Sequence, residues 1–393
     1  AHVVLVAGAL PVIVPTGSPE VALEVLLDRR IPLVALAALL GASLACHRQP
    51  KEYLLGAAGP QALAYGVQNQ DGINLAVDEI NKDGGINGVP LRVIARDDRA
   101  SGSDAARIAG EFVANRQILA VIGHAGSGTE VSAAHVYDGG HLPAVATTPS
   151  SPDITGVSRW VFRMASSDSV NGITLARFAS SLSDSLHRPV RVAVLYHNDA
   201  YGRGLSDAFL HSFRGEVISS DPVGTETDLE PYISYFKTRA PDVVFVASDE
   251  DIGIKVLREA RRQKLGATFL GGDGWQGVVT DSASEGTFIG TPFTAQSSGA
   301  AAQRFATAFR ARYGMVPDAH AALAYDATRL VASALRSGAT TRTGVRDYLA
   351  SLSRANAFIS LSGPTWFAST DPVGDNFRMT RVHDGLMIPV QRQ

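Results

Sequence analysis

The sequence runs to 393 residues, 45% hydrophobic and 19% charged, which suits two globular lobes with sizeable cores better than one small domain. Its 35 basic and 38 acidic residues leave a net charge of -3, and no basic block or stripe offers a footprint for nucleic acid. The single cysteine, Cys46, excludes an intrachain disulfide and a cysteine-built metal site.

In chain order, residues 1–27 open on an apolar stretch with no assigned role. Asp28-Arg29-Arg30, a nearly unbroken apolar run over 31–44 and then Ala45-Cys46 have the basic, apolar and small-residue regions of a secretory signal. The run is too short for a comfortable membrane span. A cysteine at the first mature position resembles a bacterial lipoprotein signal, so Cys46 is the expected point of lipid attachment. Leu44 and Ser43 depart from the usual spacing, which places a leucine third before the cysteine. Residues 1–45 are therefore set aside from the fold as a signal region and extension.

From Tyr53 onward, short β-rich runs alternate with amphipathic stretches. Strands are expected at 91–96, 119–123, 144–148, 190–196, 242–247 and 268–271, each a continuous apolar run of the kind a strand buried on both faces requires. Helices are expected at 72–81, 104–115, 129–138, 170–186, 204–213, 229–238 and 252–263. In the last, Ile252, Val256, Leu257 and Ala260 recur at helical spacing, while Lys255, Arg258, Glu259 and Arg261 take the other face. Repeated β-α units imply mostly parallel sheets flanked by helices. After residue 291 three helices follow in succession, at 300–313, 319–336 and 344–352. Residues 358–390 return to strands and turns.

Ligands of open α/β sheets sit beyond the carboxyl ends of the strands, and four such ends carry polar clusters. One runs into His124-Ala125-Gly126-Ser127-Gly128-Thr129, where backbone N–H groups at a helix start and two hydroxyls suit a carboxylate. The next ends in Thr147-Thr148-Pro149-Ser150-Ser151-Pro152. In the second half, one end reads Tyr196-His197-Asn198-Asp199-Ala200-Tyr201-Gly202. Another reads Gly271-Gly272-Asp273-Gly274-Trp275, a carboxylate among glycines that permit close backbone approach. The first half thus offers chemistry for an anion, the second a carboxylate and aromatic rings. A zwitterion bridging the halves satisfies both.

The same residues carry a family resemblance. Gly59-Pro60, Tyr65-Gly66, Gly72-Ile73-Asn74-Leu75-Ala76, Glu79-Ile80-Asn81 and Gly84-Gly85-Ile86-Asn87-Gly88 are followed in family order by Asp97-Asp98, Val121-Ile122-Gly123-His124, Asp199-Ala200-Tyr201-Gly202-Arg203-Gly204 and Gly363-Pro364. From about Tyr53 to its end, the chain resembles the leucine/isoleucine/valine-binding family of type I periplasmic solute-binding proteins. The resemblance implies a two-lobed α/β fold with three hinge crossings and a ligand clamped on closure. The lobes are expected at 51–167 plus 295–355 and at 168–294 plus 356–393. It implies that Ser127, Thr148 and Ser150 hold a ligand α-carboxylate, that Asp273 receives the α-ammonium, that Tyr201 covers the ligand and that Tyr65 lines the mouth. Asp249 and Trp275 are expected to shape the side-chain pocket. Ser248-Asp249-Glu250-Asp251 stands where several relatives carry an aromatic contact, and an acidic wall there disfavours purely aliphatic ligands.

Enzyme readings find little support. Gly272-Asp273-Gly274-Trp275-Gln276-Gly277 fits the dinucleotide pattern G-x-G-x-x-G, but no long helix follows before Gly286. Ser127 does not sit in a G-x-S-x-G elbow. His124, His135 and His141 are too irregularly spaced for a helix-borne metal pair, and Asp97-Asp98 reads as a structural strand end. The expected protein is a monomeric, non-enzymatic receptor without cofactor or metal, in the periplasm or at the cell surface, held to the membrane by a lipid only. It delivers an amino-acid-like molecule to an ABC permease. A sensor of the same fold feeding a signalling partner is the alternative, and neighbouring permease or kinase genes discriminate the two.

Overall fold

Continuous runs of Val, Ile, Ala and Phe have no polar face to turn to water, so they form strands covered on both sides. The computed structural model describes residues 51–373 and 377–390; the signal region and Cys46 lie outside the described residues. One sheet contains β1 (Tyr53–Gly59), β2 (Leu91–Asp97), β3 (Ile118–Ile122), β4 (Ala144–Ala146) and β5 (Val161–Arg163), in the order β2-β1-β3-β4-β5. All its pairings are parallel; β1 and β2 pair from Tyr53 opposite Leu91 to Gly59 opposite Asp97. The second sheet contains β6 (Val190–His197), β7 (Gly215–Val223), β8 (Val243–Ala247), β9 (Thr268–Gly271) and β10 (Phe288–Thr291), parallel in the order β7-β6-β8-β9-β10. A small antiparallel sheet follows, with β11 (Phe358–Ser360), β12 (Gly363–Ala368) and β13 (Asp371–Val373). Then β14 (Arg378–His383) and β15 (Leu386–Pro389) extend the second sheet antiparallel from β10.

Helices cover both faces of each sheet. The first sheet carries α1 (Ala64–Lys82), α2 (Gly102–Ala114) and α3 (Ser127–Gly139). The second carries α4 (Asp168–Ser181), the short α5 (Ser183–Leu186), α6 (Ala200–Ser212), α7 (Glu230–Arg239) and α8 (Glu250–Arg262). Three more, α9 (Ala300–Tyr313), α10 (Ala319–Arg336) and α11 (Arg342–Ser351), return to the first lobe. Alternation along the strands sorts the cores. Leu55, Ile122 and Val145 face α1 and α10 with Ile73 and Leu330, while Leu54, Val121 and Ala144 face α2 and α3 with Phe112 and Ala133. In the second sheet, Leu195 and Val246 pack on Val256 and Leu257 of α8; Val194 and Phe245 pack on Leu205 and Phe209 of α6. Each such side chain fully removed from water contributes roughly 1.5–3 kcal/mol, so each sheet is a rigid frame for the loops at its strand ends. Gly72 brings α1 against α10 so closely that a Cβ there would stand 2.2 Å from the Ala321 carbonyl oxygen.

The chain leaves the first sheet after β5, returns from the second after β10, and crosses again between β13 and β14, making three crossings. This corrects the expected lobe limits. Residues 356–373 belong with the first lobe, not the second: Phe367 lies in the first lobe's core, 5.1 Å ring to ring from Phe162, and Asp371 pairs with Arg163 at 2.7 Å. Only β14 and β15 join the second sheet. The expected helix at 72–81 begins earlier, at Ala64, and that at 170–186 breaks into α4 and α5.

Candidate ligand-binding site

In both sheets the strand order reverses beside the first strand, between β1 and β3 and between β6 and β8. Crevices at such switch points, beyond the carboxyl ends of the strands, are where open α/β sheets take ligands. The loops leaving both sets of strand ends line one cavity of about 310 Å³. It brings together Tyr65, Ser127, Thr148 and Ser150 of the first lobe with Tyr201, Asp249 and Asp273 of the second.

The first-lobe wall is built of hydroxyls and backbone. Gly126 is the N-cap of α3, so Ser127 opens the helix with its first-turn N–H groups unclaimed by helical bonds. The Ser127 hydroxyl oxygen accepts the N–H groups of Ser150 and Ser151, both at 3.2 Å. The Thr148 hydroxyl donates to the Ala125 carbonyl at 2.8 Å, and that of Thr129 to the Gly126 carbonyl at 2.8 Å. Two turns from different strand ends are thereby stitched into one polar surface. Behind it, the buried Arg163 donates to the carbonyls of Ser150 and Ser151 at 3.2 and 2.9 Å. Under the α3 entry lies a fully buried group in which His124 contacts Asp98 at 2.6 Å and Tyr137 at 3.1 Å, while its N–H donates to Glu130 at 2.6 Å. Burial pushes the Glu130 carboxyl up to about 8.

The second-lobe wall is acidic. Asp199 caps α6 by accepting the Gly202 N–H at 2.7 Å, which fixes Tyr201 in the first turn. The Tyr201 hydroxyl donates to Asp273 and accepts the Gly274 N–H, both at 2.9 Å. Gly274 is required here, because a Cβ would stand 2.7 Å from the Ser248 carbonyl and 2.8 Å from the Tyr201 ring. Burial raises the Asp273 carboxyl, against the Tyr201 hydrogen bond and the nearby His320. Its neighbour Asp168, fully buried, is pushed well up by burial and by Asp273 itself, and one Asp168 oxygen has no hydrogen-bond partner. Each carboxylate charge disfavours the other in so dry a site, and a cation placed beside them would be stabilised.

Trp275 departs from the expectation. It is fully buried in the second-lobe core, its indole N–H donating to Ser248 at 3.2 Å, and it does not line the cavity. The 3-10 segment Asp273–Thr280, kinked at Trp275, points Asp273 into the cleft and the ring two residues on into the core. Four further lining groups went unassigned in the sequence: His197, Asp199, Glu250 and His320. His197 and Asp199 lie in a strand-end cluster already singled out, and Glu250 in the acidic stretch Ser248-Asp249-Glu250-Asp251. His320 comes from the start of α10 and sits 5.4 Å, ring to ring, from Tyr65. Burial pulls its imidazole down, but Asp318, Glu250 and Asp273 outweigh that and raise it. Contact with Asp199 likewise raises His197. No Lys or Arg lines the cavity among the described residues.

No helix among the described residues is long and apolar enough to cross a membrane. A family profile described as periplasmic binding protein matches residues 53–385. An amino acid binding protein of Pseudomonas aeruginosa is 28% identical over 239 residues, 58% of this chain and 62% of its own length. The Leu/Ile/Val-binding protein of Escherichia coli K12 is 26% identical over 269 residues, 66% of this chain and 72% of its own. The chain thus spans somewhat under two thirds of the first of these relatives. Among solved structures, the branched-chain amino acid transporter substrate-binding protein of Streptococcus pneumoniae in complex with isoleucine superposes with a TM-score of 0.79 at 26% identity, covering 86% of this chain and 98% of that one. An ABC transporter substrate-binding protein of Desulfitobacterium hafniense in complex with Leu gives 0.73 at 29%, over 86% and 100%. With its two lobes, three crossings and a profile match over residues 53–385, the chain belongs to the periplasmic binding protein family.

Proposed function

We propose that the protein is an extracytoplasmic receptor that captures an α-amino acid between its lobes and presents it to an ABC importer. The observation that carries this reading is the pairing of two opposite chemistries across one cavity: Ser127, Thr148 and Ser150 with a helix start on one side, Asp273 held by Tyr201 on the other. Hydroxyls and free N–H groups suit the α-carboxylate. A carboxyl crowded by Asp168 suits the α-ammonium. The ligand stabilises the closed state by its differential affinity, and the importer reads that state.

The receptor binds its ligand without transforming it. Ser127 has its hydroxyl oxygen engaged by two backbone N–H groups, and the cleft imidazoles lie against carboxylates, His197 at 3.1 Å from Asp199 and His320 at 3.2 Å from Asp318. Neither is paired with a hydroxyl it could activate.

A thermal-shift and calorimetry screen over the α-amino acids tests the reading. A ligand at a thousand times its Kd adds about 4 kcal/mol of stability. Asp273→Ala should abolish that response with the fold intact; an unchanged Kd in this variant would remove the ammonium assignment. The proposal extends to a lipid tether at Cys46 and action as a monomer. Cys46→Ala expressed in a bacterial host should move the protein from the membrane to the soluble fraction, and an unchanged membrane fraction would dismiss the tether.

A further inference from the structure

The cavity as a whole is not built for an aliphatic side chain. Four carboxyls line the cavity, from Asp199, Asp249, Glu250 and Asp273, against two imidazoles, His197 and His320. Carboxyls outnumber imidazoles two to one in this lining, and a zwitterionic ligand brings no net charge to offset the excess.

The four carboxyls are not equivalent. Asp273 is held by Tyr201. Asp199 has one oxygen on the Gly202 N–H and the other 3.1 Å from His197. Glu250 leans on the Gly277 backbone. Asp249 stands at the N-cap of α8, where its backbone carbonyl accepts the Gly253 N–H at 3.1 Å and the Ser248 hydroxyl at 3.0 Å, but its carboxylate accepts no N–H there and has no hydrogen bond or ion pair among the described residues. It is also the charge that acts most strongly on Tyr65, which faces it from the first lobe. An unpaired carboxylate opposite an aromatic ring, in a cleft without Lys or Arg, is a seat for an organic cation.

His197, Asp199 and Asp249 bring ligand atoms within 4.8 Å of one another, which raises a metal ion as a rival occupant. Two of these three groups are already committed, since Asp199 caps α6 and lies against His197. That leaves the Asp249 carboxylate as the one group of the three without a hydrogen bond or ion pair, one carboxylate where a metal needs several donors.

We infer that the cargo is an α-amino acid with a cationic side chain, an ammonium or guanidinium group that sits on Asp249 beneath Tyr65. This rests on the amino-acid reading above and narrows it. The neighbours solved with isoleucine and leucine share the frame; a cationic side chain would set this chain's ligand apart from theirs.

The test titrates the full-length protein, dialysed against EDTA, with lysine, arginine, leucine and glutamate by calorimetry. Lysine or arginine should bind about tenfold or more tighter than leucine, the gain expected of a charge-assisted hydrogen bond, and glutamate weakest. In Asp249→Asn, which keeps the side-chain shape, the ratio of basic ligand to leucine should fall to about one. Salt is a second readout that needs no variant: raising it should weaken lysine or arginine binding more than leucine binding. Leucine binding tighter than both basic amino acids would overturn this inference and leave the amino-acid receptor standing. So would a basic preference that survives Asp249→Asn, or one that appears only with added divalent metal. No response to any α-amino acid would overturn the receptor reading, and this inference with it.

Discussion

The two walls of the cleft differ in how their polar groups are used. On the first-lobe wall the hydroxyls of Ser127, Thr129 and Thr148 are all engaged within the protein, and Arg163 ties down the turn behind them. On the second-lobe wall, carboxyls outnumber imidazoles, and the Asp249 carboxylate has no hydrogen bond or ion pair among the described residues. The first wall is a pre-formed surface of N–H groups and hydroxyls, suited to a group that every α-amino acid shares. The second crowds carboxyls together, an arrangement that a cationic ligand would relieve. Where a protein leaves charge uncompensated, the ligand must supply what is missing, and there selectivity is set.

The comparison can be broken at its base. The acidic wall depends on Trp275, which fills the core beneath the 3-10 turn and lies against Gly271 and Gly253 so tightly that a Cβ at either would be within 3 Å of the indole. Trp275→Ala should therefore cost roughly 3–5 kcal/mol of stability, as for other large-to-small changes in a core. Urea unfolding of the ligand-free protein measures it. A loss below about 1 kcal/mol together with abolished binding would return the ring to the cleft, and the second wall would have to be redrawn as aromatic as well as acidic.

How much of this was legible in the sequence follows from the same contrast. Strands β3, β6, β8 and β9 could be read because burial on both faces leaves only apolar residues in them. β1 is as deeply buried, but its Gly-Ala-Ala-Gly half looks like no strand by composition. β7 is an exposed edge with a polar sequence. Strand-end clusters revealed most of the site, because the position of a parallel strand's carboxyl end can be read directly from the chain. Trp275 was misplaced since alternation across a 3-10 turn is not that of a strand. His320 could not be found from its surroundings: it starts a helix whose residues are nearly all buried, and only the return of α10 to the first lobe brings it to Tyr65. The tail misled for a related reason, as β12 and β14 have similar alternating patterns and pack on different lobes.

The first wall offers a finer test. The Ser127 hydroxyl oxygen accepts two N–H groups, so Ser127→Ala frees those of Ser150 and Ser151 while removing one polar contact from the cavity. If the wall holds a carboxylate, the variant should bind an amino acid about tenfold more weakly, the size of one hydrogen bond to a charged group. The corresponding amino-acid amide, which brings no negative charge to the helix start, should lose less. Calorimetry with each ligand and its amide gives the two ratios. Equal losses would mean that Ser127 only stitches the two turns together, and the charge preference of the cleft would then rest on the second wall alone.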